Sequence, residues 1–327
     1  LCGKKNELDS GFIFMSLNIL KPEYLYQPKI ALRRLLPFSP TSNSSEFVEK
    51  KLPWGLNIRV RPLEEHGQIL SRLGVIDLAV TETLWRLVEP KEIVVDVGAN
   101  IGYMTAVLAA RINSISGGCV WAFEAHPEIF AELKYNVENW QKQLKHTKFI
   151  IQNIAISEAS GYVKLRMNES FFSNRGLAFV VNQEEPEKQL SSQRVQDILV
   201  ESSCLDKIFL PQEIGVLKID VEGHELQVLK GARKLLEQRK IRDCVFEEHR
   251  EYPTLVTDFL ETMGYTIFRI HRYLTKPALL APKSKIARTH WQPTSFLATR
   301  HAERVIERFS QPGWQVFSRR KRRQIIQ

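Results

Sequence analysis

Apolar positions change rhythm along the chain. Between residues 68 and 88 they recur at helical spacing (Ile69, Leu73, Ile76, Val80, Leu84, Leu87), and Pro90 ends the pattern. From 93 to 97 the run Ile-Val-Val-Asp-Val is nearly continuous, as in a strand buried on both faces. A turn at 98–102 and a helix over 103–112 then precede a strand at 119–123. A helix over 127–144, with proline in its first turn, precedes a strand at 148–152. After a less clearly patterned stretch, 160–200, in which 162–167 and 179–181 read as extended, the alternation resumes. Strands are expected at 215–219, 243–246 and 265–270, and helices at 225–238 and 253–263. A last extended segment, 295–299, follows without a helical crossover, which predicts an antiparallel edge. The alternation predicts an α/β fold: a seven-stranded, mostly parallel sheet with helices on both faces and an antiparallel last strand.

Domain organisation follows from the same pattern. Residues 1–56, with Pro22, Pro28, Pro37, Pro40 and a polar cluster at 41–45, read as an irregular N-terminal extension with one short helix near 30–36. Residues 57–90 supply a strand and a helix packed on the core, 91–300 form the main domain, and 301–327 read as a basic C-terminal tail. The 327 residues, 43% hydrophobic and 25% charged, can bury a large core. The net charge of +9 sits mostly at the ends: residues 1–56 hold 8 Lys/Arg against 5 Asp/Glu, and 301–327 hold 7 against 2. A basic run at 319–323 suits phosphates or anionic lipid, or is simply a solvated tail, the reading preferred here. Cys2, Cys119, Cys204 and Cys244 show no metal-ligand spacing and fit a reducing compartment, so a cytoplasmic protein is expected. No stretch reaches the ~20 apolar residues of a membrane span. The short apolar run at 11–20 lacks a following cleavage site, and Met15 is a candidate internal start.

Chemistry concentrates at strand ends. The turn Asp96-Val97-Gly98-Ala99-Asn100-Ile101-Gly102 lies between a buried strand and a helix, yet does not match the dinucleotide fingerprint G-x-G-x-x-G. Asn100 stands where the second glycine would admit a pyrophosphate, and Asp96 would repel phosphate. A cationic ligand without phosphates suits the turn better: at ~4 Å and an effective dielectric of ~20, two unit charges interact by roughly 4 kcal/mol. Glu124 ends the next strand, where a carboxylate can accept both hydroxyls of a ribose. Asn153 follows the third strand and reads either as an adenine contact or as an ordinary turn residue. Asp220, Glu222 and His224 follow the strand at 215–219, and Glu247 and His249 the next one. Ligands of open α/β sheets bind outside the carboxyl ends of the strands, the edge to which Asp96, Glu124, Asp220 and Glu247 all map. Carboxylates would also suit Mg²⁺ or Ca²⁺, but no dedicated loop is present and no metal site is assigned.

These segments, together with Phe123-Glu124-Ala125-His126-Pro127, Asn153-Ile154-Ala155 and Leu217-Lys218-Ile219-Asp220-Val221-Glu222-Gly223-His224-Glu225, resemble the FkbM family of S-adenosylmethionine-dependent methyltransferases over about residues 75–270. The resemblance implies a class I methyltransferase fold using S-adenosyl-L-methionine. Asp96, Gly98, Asn100 and Gly102 would hold its methionyl part, Glu124 the ribose and Asn153 the adenine region, with Asp220 also beside the cofactor. It also implies O-methylation of a hydroxyl on a small molecule such as a sugar or polyketide. Asp220 is the first candidate for base or acceptor-orienting group, His224 and His249 are second choices, and Glu247 is a candidate for orienting the acceptor. The family often has a smaller residue where His224 stands. The rival readings are a nucleic-acid methyltransferase and a non-catalytic binding module. The first is disfavoured by the acidic strand edge and the missing Asp/Asn-Pro-Pro-aromatic motif, so no nucleic-acid partner is expected. Oligomeric state is not readable from the sequence.

Overall fold

The computed structural model describes residues 21–34, 46–167, 171, 178–180, 195–286 and 294–318. Two short helices, Pro22–Tyr26 and Pro28–Arg34, precede an antiparallel hairpin of β1 (Val48–Lys51) and β2 (Asn57–Val60), so part of the expected irregular extension is regular. The helical pattern at 68–88 belongs to two helices, Glu65–Leu73 and Leu78–Leu87. Gly74, at φ 73°, ends the first, and the Asp77 carboxylate caps the second by accepting from the Val80 amide at 3.1 Å.

The alternating section builds the central sheet. Strands β3 (Ile93–Val97), β4 (Gly118–Phe123) and β5 (Thr147–Gln152) are joined by helices Tyr103–Asn113 and Pro127–Gln141. An inserted second sheet follows: β6 (Ala155–Ile156), β7 (Gly161–Met167), β8 (Phe179–Val180) and β9 (Gln196–Ser203), in spatial order β6-β9-β7-β8. The main sheet resumes with β10 (Ile214–Ile219), β11 (Ile241–Glu248), β12 (Thr266–Arg272), β13 (Pro277–Leu280) and β14 (Thr294–Thr299). Its eight strands run in the order β13-β12-β14-β11-β10-β3-β4-β5. Alternate residues feed two cores: Val94, Val120, Ala122, Val216 and Val245 lie in one, and Val95, Val97, Phe123, Leu217, Ile219 and Phe246 in the other. Burial on both faces explains why these strands read as continuous apolar runs.

Strand β14 differs from expectation. It pairs antiparallel with both β11 and β12 and so lies inside the sheet, and the β12–β13 hairpin supplies the edge. Phe296, Leu297 and Ala298 are each fully buried, a pattern that needs cover on both faces.

The first part of the expected basic tail, up to Ser318, packs on the body. Helix Ala302–Ser310 packs on the body through Val305 and Phe309, followed by buried Trp314, Val316 and Phe317. Its arginines close a charged network at the amino ends of β3 and β11. Arg304 reaches Glu89 at 2.7 Å and Asp243 at 3.1 Å, Arg308 reaches Glu89 at 2.6 Å, and Arg242 pairs with Asp243 at 2.9 Å and with Glu92. Thr299 donates to Asp243 at 2.6 Å. The 319–323 basic run and Cys2 lie outside the described residues. Cys119, Cys204 and Cys244 are free thiols, and no described helix is long and apolar enough to cross a membrane.

Candidate active site

A cavity of about 400 Å³ opens along the carboxyl ends of β3, β4, β10 and β11, reached by Val97, Phe123, Ile219 and Glu247. The inserted sheet forms one wall through Leu165, Ala178 and Val180, and no described residue before Glu65 lines it. The site therefore draws on the 160–200 region that the sequence left weakly patterned.

The bend after β3 is built by backbone geometry. Gly98 lies at φ 73° and Asn100 at φ 51°, both left-handed. A Cβ on Gly98 would stand 1.8 Å from the Asp220 carbonyl oxygen, so glycine is required by the neighbouring loop itself. Gly98→Val therefore breaks the junction of two loops before any question of ligand contact. Gly102, at φ 96°, does not line the cavity; a Cβ there would meet Leu133 at 2.7 Å and Trp140 at 3.0 Å, so it serves helix packing. Asn100 does line it, and its amide donates to the Glu124 carboxylate at 2.8 Å.

Asp96 lies behind the bend. It is fully buried, accepts from the Thr105 hydroxyl at 2.6 Å, and pairs with Lys218 at 3.0 Å. The register explains the pair, because Asp96 and Lys218 are direct neighbours across β3 and β10. Lys218 also donates to the Gly98 carbonyl at 2.8 Å and stands 3.4 Å from Asp220. Although burial opposes its charge, Asp96 and Asp220 hold its proton more firmly than usual. Asp96 thus supports the site through Lys218 and does not touch the cavity, while Lys218 ties the bend to the β10 loop. Its signal in the sequence is an i, i+2 Lys-Asp pair in an otherwise apolar strand.

Glu124 lines the cavity and is buried; its two oxygens accept from the Asn100 and His126 amides, each at 2.8 Å. Burial raises its pKa, against the two amide hydrogen bonds. Each oxygen retains a lone pair, so the carboxylate can still receive a pair of hydroxyls. Asn153 points its amide elsewhere, donating to the Glu124 and Ala125 carbonyls at 2.8 and 3.0 Å, and does not line the cavity. The apolar neighbours Ile154 to Ile156 line it instead.

Carboxyls crowd the other side. Asp220, Glu222 and Glu247 line the cavity together with Glu65 and Asp77 from the two helices before β3. Burial first, and then Asp220 and Glu225, push the Glu222 carboxyl up to about 7. Burial, Asp220 and Glu222 push Glu247 up to about 9. Glu222 sits at φ 51° with His249 Nε2 3.6 Å away. His224 lines the cavity with its Nε2 2.9 Å from the Ser157 hydroxyl, and burial pushes it down to about 4, so its ring is neutral. His66, also on the wall, is likewise held near 4 by burial. Glu65, His66 and Asp77 escaped the sequence reading because their helices looked like core packing alone. Among the described residues, no group of three or more His, Cys, Asp or Glu is placed to hold a metal ion.

The Methyltransferase FkbM domain matches residues 96–267 of this sequence. The chain belongs to the FkbM methyltransferase family. It is therefore a methyltransferase, and the donor its sequence leads one to expect is S-adenosyl-L-methionine. A curated relative, the hexuronic acid methyltransferase AglP of Haloferax volcanii, is 28% identical over 194 residues, covering 59% of this chain and 71% of its own. The solved FkbM methyltransferase of Methylobacillus flagellatus is similar at 18% identity and a TM-score of 0.41, covering 64% of this chain. A solved S-adenosylmethionine-dependent O-methyltransferase of Thermotoga maritima is similar at 14% identity and a TM-score of 0.38, covering 68% of this chain. The methyltransferase spans 44% and 64% of the length of those two solved chains.

The residues present fit the donor. The half-open Glu124 carboxylate suits a ribose, the left-handed Gly98–Asn100 bend brings backbone to the cavity, and Ile154 and Ile156 offer an apolar wall for a purine.

Proposed function

We propose that the chain methylates a hydroxyl of a small, sugar-like acceptor. The observation that carries this reading is the juxtaposition, on one cavity wall, of the Gly98 bend and two carboxyls, Asp220 and Glu222, tied to it through Lys218 and the chain between them. The hexuronic acid acceptor named for the Haloferax relative supports a sugar-like substrate. The acidic wall argues against a nucleic-acid backbone, whose phosphates it would repel.

S-adenosylmethionine would be held by Glu124, Asn100 and the Gly98 bend, and supplies an electrophilic methyl on a sulfonium. This chain's residues do the rest. Asp220, fixed by Lys218, orients the acceptor by accepting a hydrogen bond from a hydroxyl beside the reacting one. Glu222, poised near neutral pH, takes the reacting hydroxyl's own proton as its oxygen becomes a nucleophile. Glu247, protonated at neutral pH, donates a hydrogen bond to a neighbouring acceptor oxygen. Orientation carries most of the rate, because well-placed partners gain roughly 7–11 kcal/mol over free encounter.

The test is a labelled-methyl assay with fractionated glycans and small metabolites, followed by identification of the methylated atom. Label on a hydroxyl oxygen of a saccharide is expected. Label confined to nucleic acid, to nitrogen or to carbon would overturn the proposal.

A further inference from the structure

The lining's charge restricts which acceptors can enter, an inference that rests on the methyl-transfer reading above. Five carboxyl groups face the acceptor side: Glu65, Asp77, Asp220, Glu222 and Glu247. Among the described residues Lys218 is the one lysine or arginine on the wall, and it already stands 3.0 Å from buried Asp96 and 3.4 Å from Asp220. His66 and His224 are neutral, and His249 lies 3.6 Å from Glu222. An incoming carboxylate or phosphate therefore meets no unengaged cation among the described lining residues.

The crowding leaves a visible trace. Glu222 and Glu247 retain protons to about 7 and about 9, burial and mutual repulsion both contributing. The donor's single net positive charge offsets part of the remaining negative charge without reversing it. In a cavity partly shielded from water, like charges exclude one another more strongly than in bulk solvent.

We propose that the site accepts sugar-like acceptors that arrive neutral or positively charged, such as a hexose or an amino sugar, and excludes those bearing a carboxylate or phosphate. This sets the chain apart from the hexuronic acid methyltransferase to which it is similar.

The experiment uses the full chain, labelled S-adenosylmethionine, and a glycan extract separated by ion exchange into anionic, neutral and cationic fractions. Label should enter the neutral or cationic fraction at least on the order of tenfold above the anionic one, the discrimination expected of uncompensated like charge. Equal or greater labelling of the anionic fraction overturns the proposal while leaving methyl transfer standing. Absence of label in all three, with S-adenosylhomocysteine still bound in calorimetric titration, removes the saccharide acceptor and this inference with it. Loss of S-adenosylhomocysteine binding instead strikes the functional reading itself. A second arm uses Glu65→Lys, whose side chain is exposed on its helix, so folding should persist. Labelling of the anionic fraction should rise several-fold in that variant. An unchanged ratio in a variant of unaltered melting temperature counts against the charge argument.

Discussion

The two ends of the central sheet treat charge in opposite ways. At the amino end, Glu89, Glu92 and Asp243 face Arg242, Arg304 and Arg308 in a closed network. Burial works against Glu89, but the hydrogen bond from Arg304 and the three guanidiniums hold its carboxyl below the usual range. At the carboxyl end, Asp220, Glu222 and Glu247 share a wall with one lysine, and burial with mutual repulsion drives Glu222 and Glu247 upward. Paired charge fastens a helix to the body; crowded charge lines the cavity. Burial raises Glu92 in the amino-end network as well, so it is the supply of arginine partners that separates the two ends.

Four substitutions would break or sharpen that contrast. The largest effect is expected from Glu222→Gln, which should cost about 10²–10⁴-fold in turnover, the usual contribution of a placed base. In the parent enzyme kcat/KM should rise as pH passes about 7, because the raised carboxyl must ionise before it can take a proton. That rising limb should vanish from the variant's pH–rate profile, and a retained limb would move the role elsewhere. At the opposite end, Asp243→Ala leaves two arginines without their buried partner. It should lower stability by roughly 3 kcal/mol in urea unfolding, the lower end of the range for broken buried pairs because both arginines keep some solvent contact. Its kcat should stay near the parent value below the melting transition. Asp220→Asn should reduce kcat by about 10²-fold through misorientation, with S-adenosylhomocysteine affinity nearly unchanged by calorimetry. Smallest is Asp77→Ala, where loss of the helix cap should cost about 1 kcal/mol in thermal unfolding.

The contrast also shows what a sequence can disclose. Periodicity located β3, β4, β10 and β11 because strands buried on both faces write themselves as nearly unbroken apolar runs. The gathering of Glu124, Asp220 and Glu247 at one edge followed from topology alone. Asp96 was harder: its place at a strand end was legible, but whether it faces ligand or Lys218 depends on pairing register, which no single strand records. Gly98 was marked as special, yet its reason, the Asp220 carbonyl 1.8 Å from a would-be Cβ, lies more than a hundred residues away in sequence. The Ala302–Ser310 helix was read as tail because its arginines resemble solvated charge until their partners Glu89 and Asp243 are seen. Glu65 and Asp77 were hidden by the same limit, since a helix can bury one face and still lend a carboxyl to a cavity.

Strand β14 has a consequence for how the molecule is made. It slots between β11 and β12, both completed earlier in the chain. In the finished sheet β12 reaches the parallel strands only through residues 294–299, so without that strand β11 and β12 would each present an unpaired margin. Exposed strand margins invite pairing with other chains, which makes that late-arriving wedge the step at which a chaperone would matter most.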